Sequence, residues 1–232
     1  MSLAGHEDDF IINASSNFDD NLIFRYIQNA KNMPDAYCGL MSKTKVKYDV
    51  ELKDSLNRLY REDAYNEIRR QPKALGLGSY DAFCSPKLFV RQSANKIIST
   101  YTEEKFAANT SFYIITEKDE DGNKAEIPIL YLLPILNSSL ISYYAKTRGL
   151  IRGGDKKQPQ IMIKAFKKIP ICIVSKNNQE WFIEKAKTAL SQYNENNHEY
   201  LMTIEEIDNK VFDIYGISVE ERSVIKTFVK EL

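Results

Sequence analysis

Arg148, Arg152, Gln158 and Gln160 fall close together in one short stretch of the chain. Arginine and glutamine share a chemical capacity: each can make two parallel hydrogen bonds to a base edge, arginine to guanine and glutamine to adenine. Around them stand Lys146, Lys156, Lys157, Lys164, Lys167 and Lys168, compact charges suited to phosphate. Between Leu140 and Pro170 eight cations face a single acidic residue, Asp155, although the whole chain carries 32 basic and 32 acidic residues. So local a field points to a polyanionic partner, of which nucleic acid is the commonest. Charge alone leaves a second reading open, a solvated and merely solubilising loop. On the first reading the two arginines and two glutamines are candidates for base contact on double-stranded DNA, and the six lysines hold its backbone. Gly149, Gly153 and Gly154 would let the stretch follow a groove without side-chain obstruction.

These residues need a mount. The uncharged run from Ile127 to Ala145 precedes them, and the apolar segment ending in Ile169-Pro170-Ile171 follows. Apolar groups leave water and cations resist burial, so the run should form a buried helix and the basic stretch an exposed edge. The run approaches the length of a membrane span. Pro128, Pro134, Asn137, Ser138, Ser139 and Ser142 interrupt it, however, and Leu132, Leu133, Leu136, Leu140, Ile141 and Tyr144 recur at helical spacing, as in a core helix.

Composition excludes several classes. With 232 residues and 43% hydrophobic content the chain is long and apolar enough for a real core. Cys38, Cys84 and Cys172 are odd in number and far apart, which argues against a disulfide framework or a thiolate metal site and favours a reducing cytoplasm. His6 and His198 have no second ligand at metal spacing, which disfavours zinc chemistry and histidine triads. The amino-terminal sequence lacks the pattern of a secretory signal and begins like an expression leader.

Along the chain, a first helix is expected from Asp19 or Asp20 to about Lys31, a basic strand or turn from Lys43 to Lys47, and a second helix capped by Asp49 that stops by Pro72. Gly76, Gly78, Ser79, Ser85 and Pro86 read as a boundary. Three strands should follow: Leu88 to Val90, Ile97 to Thr100, and Phe112 to Ile115. The helix from Ile127 to Lys146 would pack on their sheet, with further short strands at Ile161 to Ile163 and Ile171 to Val174. Helices at Gln179 to Asn194 and Ile204 to Tyr215 lead to a last one, opened by the capping-box pattern of Ser218 and Glu221. The fold class is therefore α+β, a small, mainly antiparallel sheet packed with helices, with a helical amino-terminal segment over residues 1–80 and a sheet-bearing recognition domain with a helical tail over 81–232. Tyr131, Tyr143 and Tyr144 are either core residues at helical spacing or stacking platforms for unpaired bases. Trp181 should pack its helix onto the sheet.

Five segments taken in order, KLFVRQSANKIISTY from Lys87, NTSFYII from Asn109, YLLPILNSSLISYY from Tyr131, PQIMIKAFKKIPI from Pro159 and IDNKVFDIYGISVEER from Ile207, resemble the TaqI-like carboxy-terminal specificity domain. That family supplies the target-recognition domain of adenine DNA methyltransferases in restriction–modification systems. The resemblance implies a duplex-DNA recognition domain whose basic strand adds Arg91 and Lys96 as phosphate contacts. It also implies a methyltransferase domain or subunit as partner. A catalytic half would need a glycine-rich loop for S-adenosylmethionine and an Asn/Asp-Pro-Pro-aromatic motif for the flipped base. Asn32 to Tyr37 holds one proline of such a motif, and Gly76-Leu77-Gly78 is a lone glycine pair, so S-adenosylmethionine is expected in a separate domain and no catalytic residue is assigned here.

Two alternatives accompany this reading. Helices at Asp49 to Arg70 and Gln179 to Leu232 could dock a catalytic subunit, making the chain a protein-interaction module. Asp35, Glu51 and Lys53 loosely fit the pattern of a metal-dependent nuclease, but Glu51 and Lys53 fall at a helix start, where that chemistry needs a strand.

Overall fold

A computed structural model describes residues 1, 7–12, 19–67, 75–118, 122–154, 157–193 and 197–232. Within these the order is α1 (Glu7–Phe10), β1 (Ile23–Ile27), β2 (Lys45–Lys47), α2 (Val50–Glu67), α3 (Tyr80–Cys84), β3 (Lys87–Arg91), β4 (Ser99–Thr102), β5 (Phe106–Ala108) and β6 (Phe112–Thr116). Then come α4 (Ile129–Asn137), α5 (Ser139–Thr147), β7 (Ile151–Gly154), β8 (Lys157–Ile161), α6 (Ile163–Phe166), α7 (Lys176–Gln192), α8 (His198–Ile214) and α9 (Val219–Lys230). The class is α+β, as expected. None of the described helices is long and apolar enough to cross a membrane.

The chain forms two compact units that interleave in sequence: residues 1–32, 41–85 and 103–111 make the first, and 33–40, 86–102 and 112–232 the second. In the first unit β1 lies between antiparallel β2 and parallel β5. Here the helix expected from Asp19 to Lys31 is a strand. Leu22, Ile23, Tyr26 and Ile27 suit either period, but both edges of β1 find ladder partners, and Phe24 and Tyr26 point into the core. Pairing overrides propensity. Phe24 meets Tyr80 edge-on at 5.5 Å and Phe83 at 5.8 Å. Gly78 has φ +84°, and a Cβ there would come within 2.8 Å of Phe83 Cζ, so only glycine fits. Asp49 caps α2 as expected, accepting from the Leu52 N–H at 2.9 Å. The end expected for α2 near Pro72 lies outside the described residues.

In the second unit the antiparallel sheet runs β4-β3-β6. Leu88, Phe89 and Val90 of β3 are all buried. Strand β4 begins at Ser99, two residues later than the apolar Ile97 suggested. Asn137 is the reason. Its Oδ1 accepts from Ser99 N and Oγ, both at 2.8 Å, and its Nδ2 donates to Ser99 O at 3.0 Å, so the side chain acts as a short ladder at the start of β4.

The single helix expected over Ile127 to Lys146 is two. Ser138 leaves helical geometry, donates to Ile135 O at 2.7 Å, and caps α5 by accepting from Ile141 N at 3.2 Å. The core around these helices gathers Leu88, Val90, Leu133, Ile141, Phe182 and Val211. Tyr131 is buried among them, Tyr143 packs edge-on to Phe228 at 5.2 Å, and Trp181 lies edge-on to Phe182 at 5.1 Å.

Two expected strands are absent from the described secondary structure. Residues after Ile161 turn into α6, because β7 has no residue left to pair beyond Ile151. Ile171 to Val174 is irregular, and side chains serve its backbone instead of a ladder. The Tyr215 hydroxyl donates to Pro170 O at 2.9 Å and accepts from Cys172 N at 2.9 Å, Tyr131 donates to Cys172 O, and Gln179 donates to Val174 O at 2.9 Å. Helix α9 opens with the expected reciprocal capping box of Ser218 and Glu221.

Candidate nucleic-acid interface

The basic stretch expected as a loop is a β-hairpin. Helix α5 ends at Arg148, and Gly149, at φ +66°, reverses the chain. Gly149 N donates to Lys146 O at 3.1 Å and Leu150 N to Ala145 O at 2.8 Å, the paired bonds of a Schellman stop. Strand β7 then pairs antiparallel with β8, Ile151 opposite Ile161 and Arg152 opposite Gln160, with a register shift between Arg152 and Gly154. Gly153, at φ +102°, occupies that irregularity. The glycines thus act at a helix stop and a kink.

Alternation across the pleat sorts the hairpin's faces. Ile151 and Ile161 are 4% and 2% exposed and anchor one face in the core, so Arg152 and Gln160 turn outward, and both are exposed. Gln158, also exposed, follows two residues before Gln160 on the same strand.

Three hydrogen bonds bolt the hairpin base to the sheet. Ile161 N donates to Gln92 O at 2.9 Å, Gln92 Nε2 donates to the Tyr113 hydroxyl at 3.2 Å, and that hydroxyl donates to Ile161 O at 2.9 Å. Gln92, Tyr113 and Ile161 come from three different segments of the family resemblance. Tyr113 also lies 6.0 Å from the Phe166 ring. Gln92 and Tyr113 stand outside the charged stretch, so residue types and local charge pointed to neither.

The remaining candidates separate into three groups. Gln158, Arg91 and Lys96 border one cleft of about 670 Å³, together with Lys226 and Lys230, which the sequence reading did not select. Arg91 is engaged in holding loops: Nη1 donates to Pro34 O at 3.2 Å and Nη2 to Ser93 O at 3.0 Å. Burial pulls its pKa below the ordinary value, opposed by the nearby Asp35 charge. Lys96 sits 3.8 Å from Asp35 Oδ1. Arg148 lies elsewhere, over the Tyr144 ring at 5.9 Å and beside a separate cavity of about 530 Å³. Lys164, Lys167 and Lys168, on and just after α6, are exposed, and Lys146 in the last turn of α5 is half-buried. Lys157 enters β8, whereas Lys156 lies outside the described residues.

Asp208 stands at the floor of the larger cleft. Its Oδ1 accepts from Ser139 N, the first residue of α5, at 2.8 Å. Burial raises its pKa, and the Ser139 bonds and the Lys226 charge partly offset this.

Glu51 and Lys53 lie in the first turn of α2, with Lys53 paired to Asp54 at 2.8 Å. Among the described residues no group of three or more His, Cys, Asp or Glu side chains is placed to hold a metal ion.

The architecture is thus an α+β domain carrying an exposed, basic two-stranded ribbon. Residues 42–171, more than half of the chain, match the profile of the TaqI-like C-terminal specificity domain, and the chain belongs to that family. The matched span holds the hairpin and its mount, while α7 to α9 lie beyond it. Comparison with curated proteins finds no match. Among solved structures, the type IIL restriction-modification enzyme MmeI, determined in complex with DNA, superposes with a TM-score of 0.58 at 10% identity, over 91% of this chain and 30% of that one. The fold is therefore shared with a chain of which this one spans less than a third.

Proposed function

We propose that this chain is the target-recognition part of a restriction–modification enzyme that acts on adenine, reading duplex DNA while a separate domain binds S-adenosylmethionine and performs the transfer. The observation that carries this reading is the hairpin itself. It presents Arg152 and Gln160 to solvent, buries Ile151 and Ile161 beneath them, and leads into the exposed Lys164, Lys167 and Lys168. A two-stranded ribbon fits the major groove, where base edges carry a distinct donor and acceptor code, and flanking lysines supply the sequence-independent hold on phosphate. Family membership and the shared fold with MmeI support the same reading.

The test is fluorescence anisotropy with a labelled random duplex at two salt concentrations. Non-specific dissociation constants on the order of 10⁻⁴ to 10⁻⁶ M, weakening steeply between about 50 and 200 mM salt, are expected. Absence of binding at the lower salt would contradict the reading.

A second role rests on α9. Val219 and Val224 are 74% and 62% exposed, two aliphatic side chains available for docking of the catalytic domain. Binding of a purified cognate methyltransferase domain, lost in V219E/V224E, is the corresponding test.

A further inference from the structure

The register of the hairpin limits what it can read. Arg152 and Gln160 are directly opposed across β7 and β8, on the face opposite the buried Ile151 and Ile161. Beyond Arg152 its strand offers only Gly153 and Gly154, which carry no side chain. Among the described residues, neither Arg152 nor Gln160 spends its polar head on a hydrogen bond or an ion pair within the protein. The hairpin base is fixed by the Gln92, Tyr113 and Ile161 bonds, so the two heads project from a rigid platform.

Directly opposed residues of an antiparallel pair hold their Cβ atoms roughly 4.5–5.5 Å apart. Successive base pairs rise about 3.4 Å. Two side chains at that separation, extended side by side from one face, meet neighbouring base pairs. Arginine finds its bidentate partner in the O6 and N7 of guanine, and glutamine in the N6 and N7 of adenine. We infer that Arg152 and Gln160 form a two-letter reader, and that the DNA target contains a G·C pair immediately adjacent to an A·T pair, Arg152 specifying the first and Gln160 the second.

This inference rests on the DNA-reading proposal, and the test separates the two. The full chain is used to select from a randomised duplex pool, in parallel with R152K, which keeps the charge but loses the paired donors, and Q160A. Anisotropy on unselected duplex is run for all three proteins. Both side chains are exposed, so neither variant threatens the fold. The expected result is an enriched site with adjacent G·C and A·T positions, where R152K relaxes the first and Q160A the second, each by roughly tenfold. Enrichment in which the variants relax separated positions, or none, overturns the inference and leaves DNA reading standing. Binding without any enrichment overturns it as well. If the parent binds no duplex, the functional proposal fails and the inference falls with it.

Discussion

The Tyr113 hydroxyl donates to the Ile161 carbonyl at 2.9 Å while accepting from Gln92 at 3.2 Å, joining a strand of the central sheet to the base of the basic hairpin. A ring that touches no DNA in this account therefore decides how stiffly Arg152 and Gln160 are held. Y113F deletes one donor and one acceptor at a half-buried site, a loss of about 1 kcal/mol in stability. Its larger effect should fall on discrimination. In competition assays Y113F is expected to keep its affinity for random duplex yet lose several-fold of its preference for a selected site, and hydrogen exchange at Ile161 should quicken.

Asn137 makes three hydrogen bonds to one residue, Ser99. Alanine there strands the Ser99 N–H at the start of β4 and leaves its carbonyl with only the Tyr37 N–H, at 3.1 Å. N137A should destabilise the protein by about 2 kcal/mol in urea unfolding, whereas a substitution at an exposed residue, such as Lys187→Ala, should change little.

Asp208 makes stability depend on pH in a direction that can be stated. Burial raises its carboxyl pKa in the folded state above the ordinary value of 3.8. The folded protein then binds the proton more tightly than the unfolded chain. The associated stabilisation is complete below the ordinary value and is lost as pH rises through the raised one. D208N preserves an acceptor for Ser139 N without the charge. At neutral pH D208N should match or exceed the parent in thermal stability, and the difference should shrink on acidification. A variant destabilised at neutral pH but not in acid would show that the carboxylate charge itself holds α5.

Lys164, Lys167 and Lys168 are exposed and assigned to phosphate. Each phosphate contact removed should lower the slope of log K against log salt by about 0.9, so the triple alanine variant should lose up to roughly three units of slope while its relative preference among sequences is kept. R152K should do the reverse.

Much of the fold was legible in the sequence where its signals are local. The Ser218 and Glu221 box, the Asp49 cap and the apolar runs of β3 and β6 each declare themselves within a few residues. What was not legible depends on distant partners. β1 reads as a helix until β2 and β5 flank it. The break at Ser138 looks like one more polar residue in an apolar run until its hydroxyl is seen bonding Ile135 and Ile141. Ile171 to Val174 has strand composition but finds Tyr131 and Tyr215 where a strand would be needed.

For the proposed interface, residue type selected Arg152, Gln158 and Gln160 as candidates, and the register of the hairpin pairs the first with the last. Residue type could not separate them from Arg148 beside Tyr144, nor from Arg91, whose guanidinium is taken up by Pro34 and Ser93. Nor could it find Lys226 and Lys230, which reach the same cleft as Gln158 only because α9 packs against α5.

The central claim is that the hairpin and its basic flanks are the DNA face. The most direct measurement compares duplex binding, at about 50 mM salt, for the parent, a variant with Arg148, Arg152, Lys156 and Lys157 changed to alanine, and a control with the exposed Lys43, Lys45, Lys176 and Lys187 changed instead. Both variants remove the same charge. The first variant should lose binding by at least an order of magnitude and the control should stay close to the parent. Equal losses in the two would contradict the claim, because binding would then follow net charge and not the hairpin.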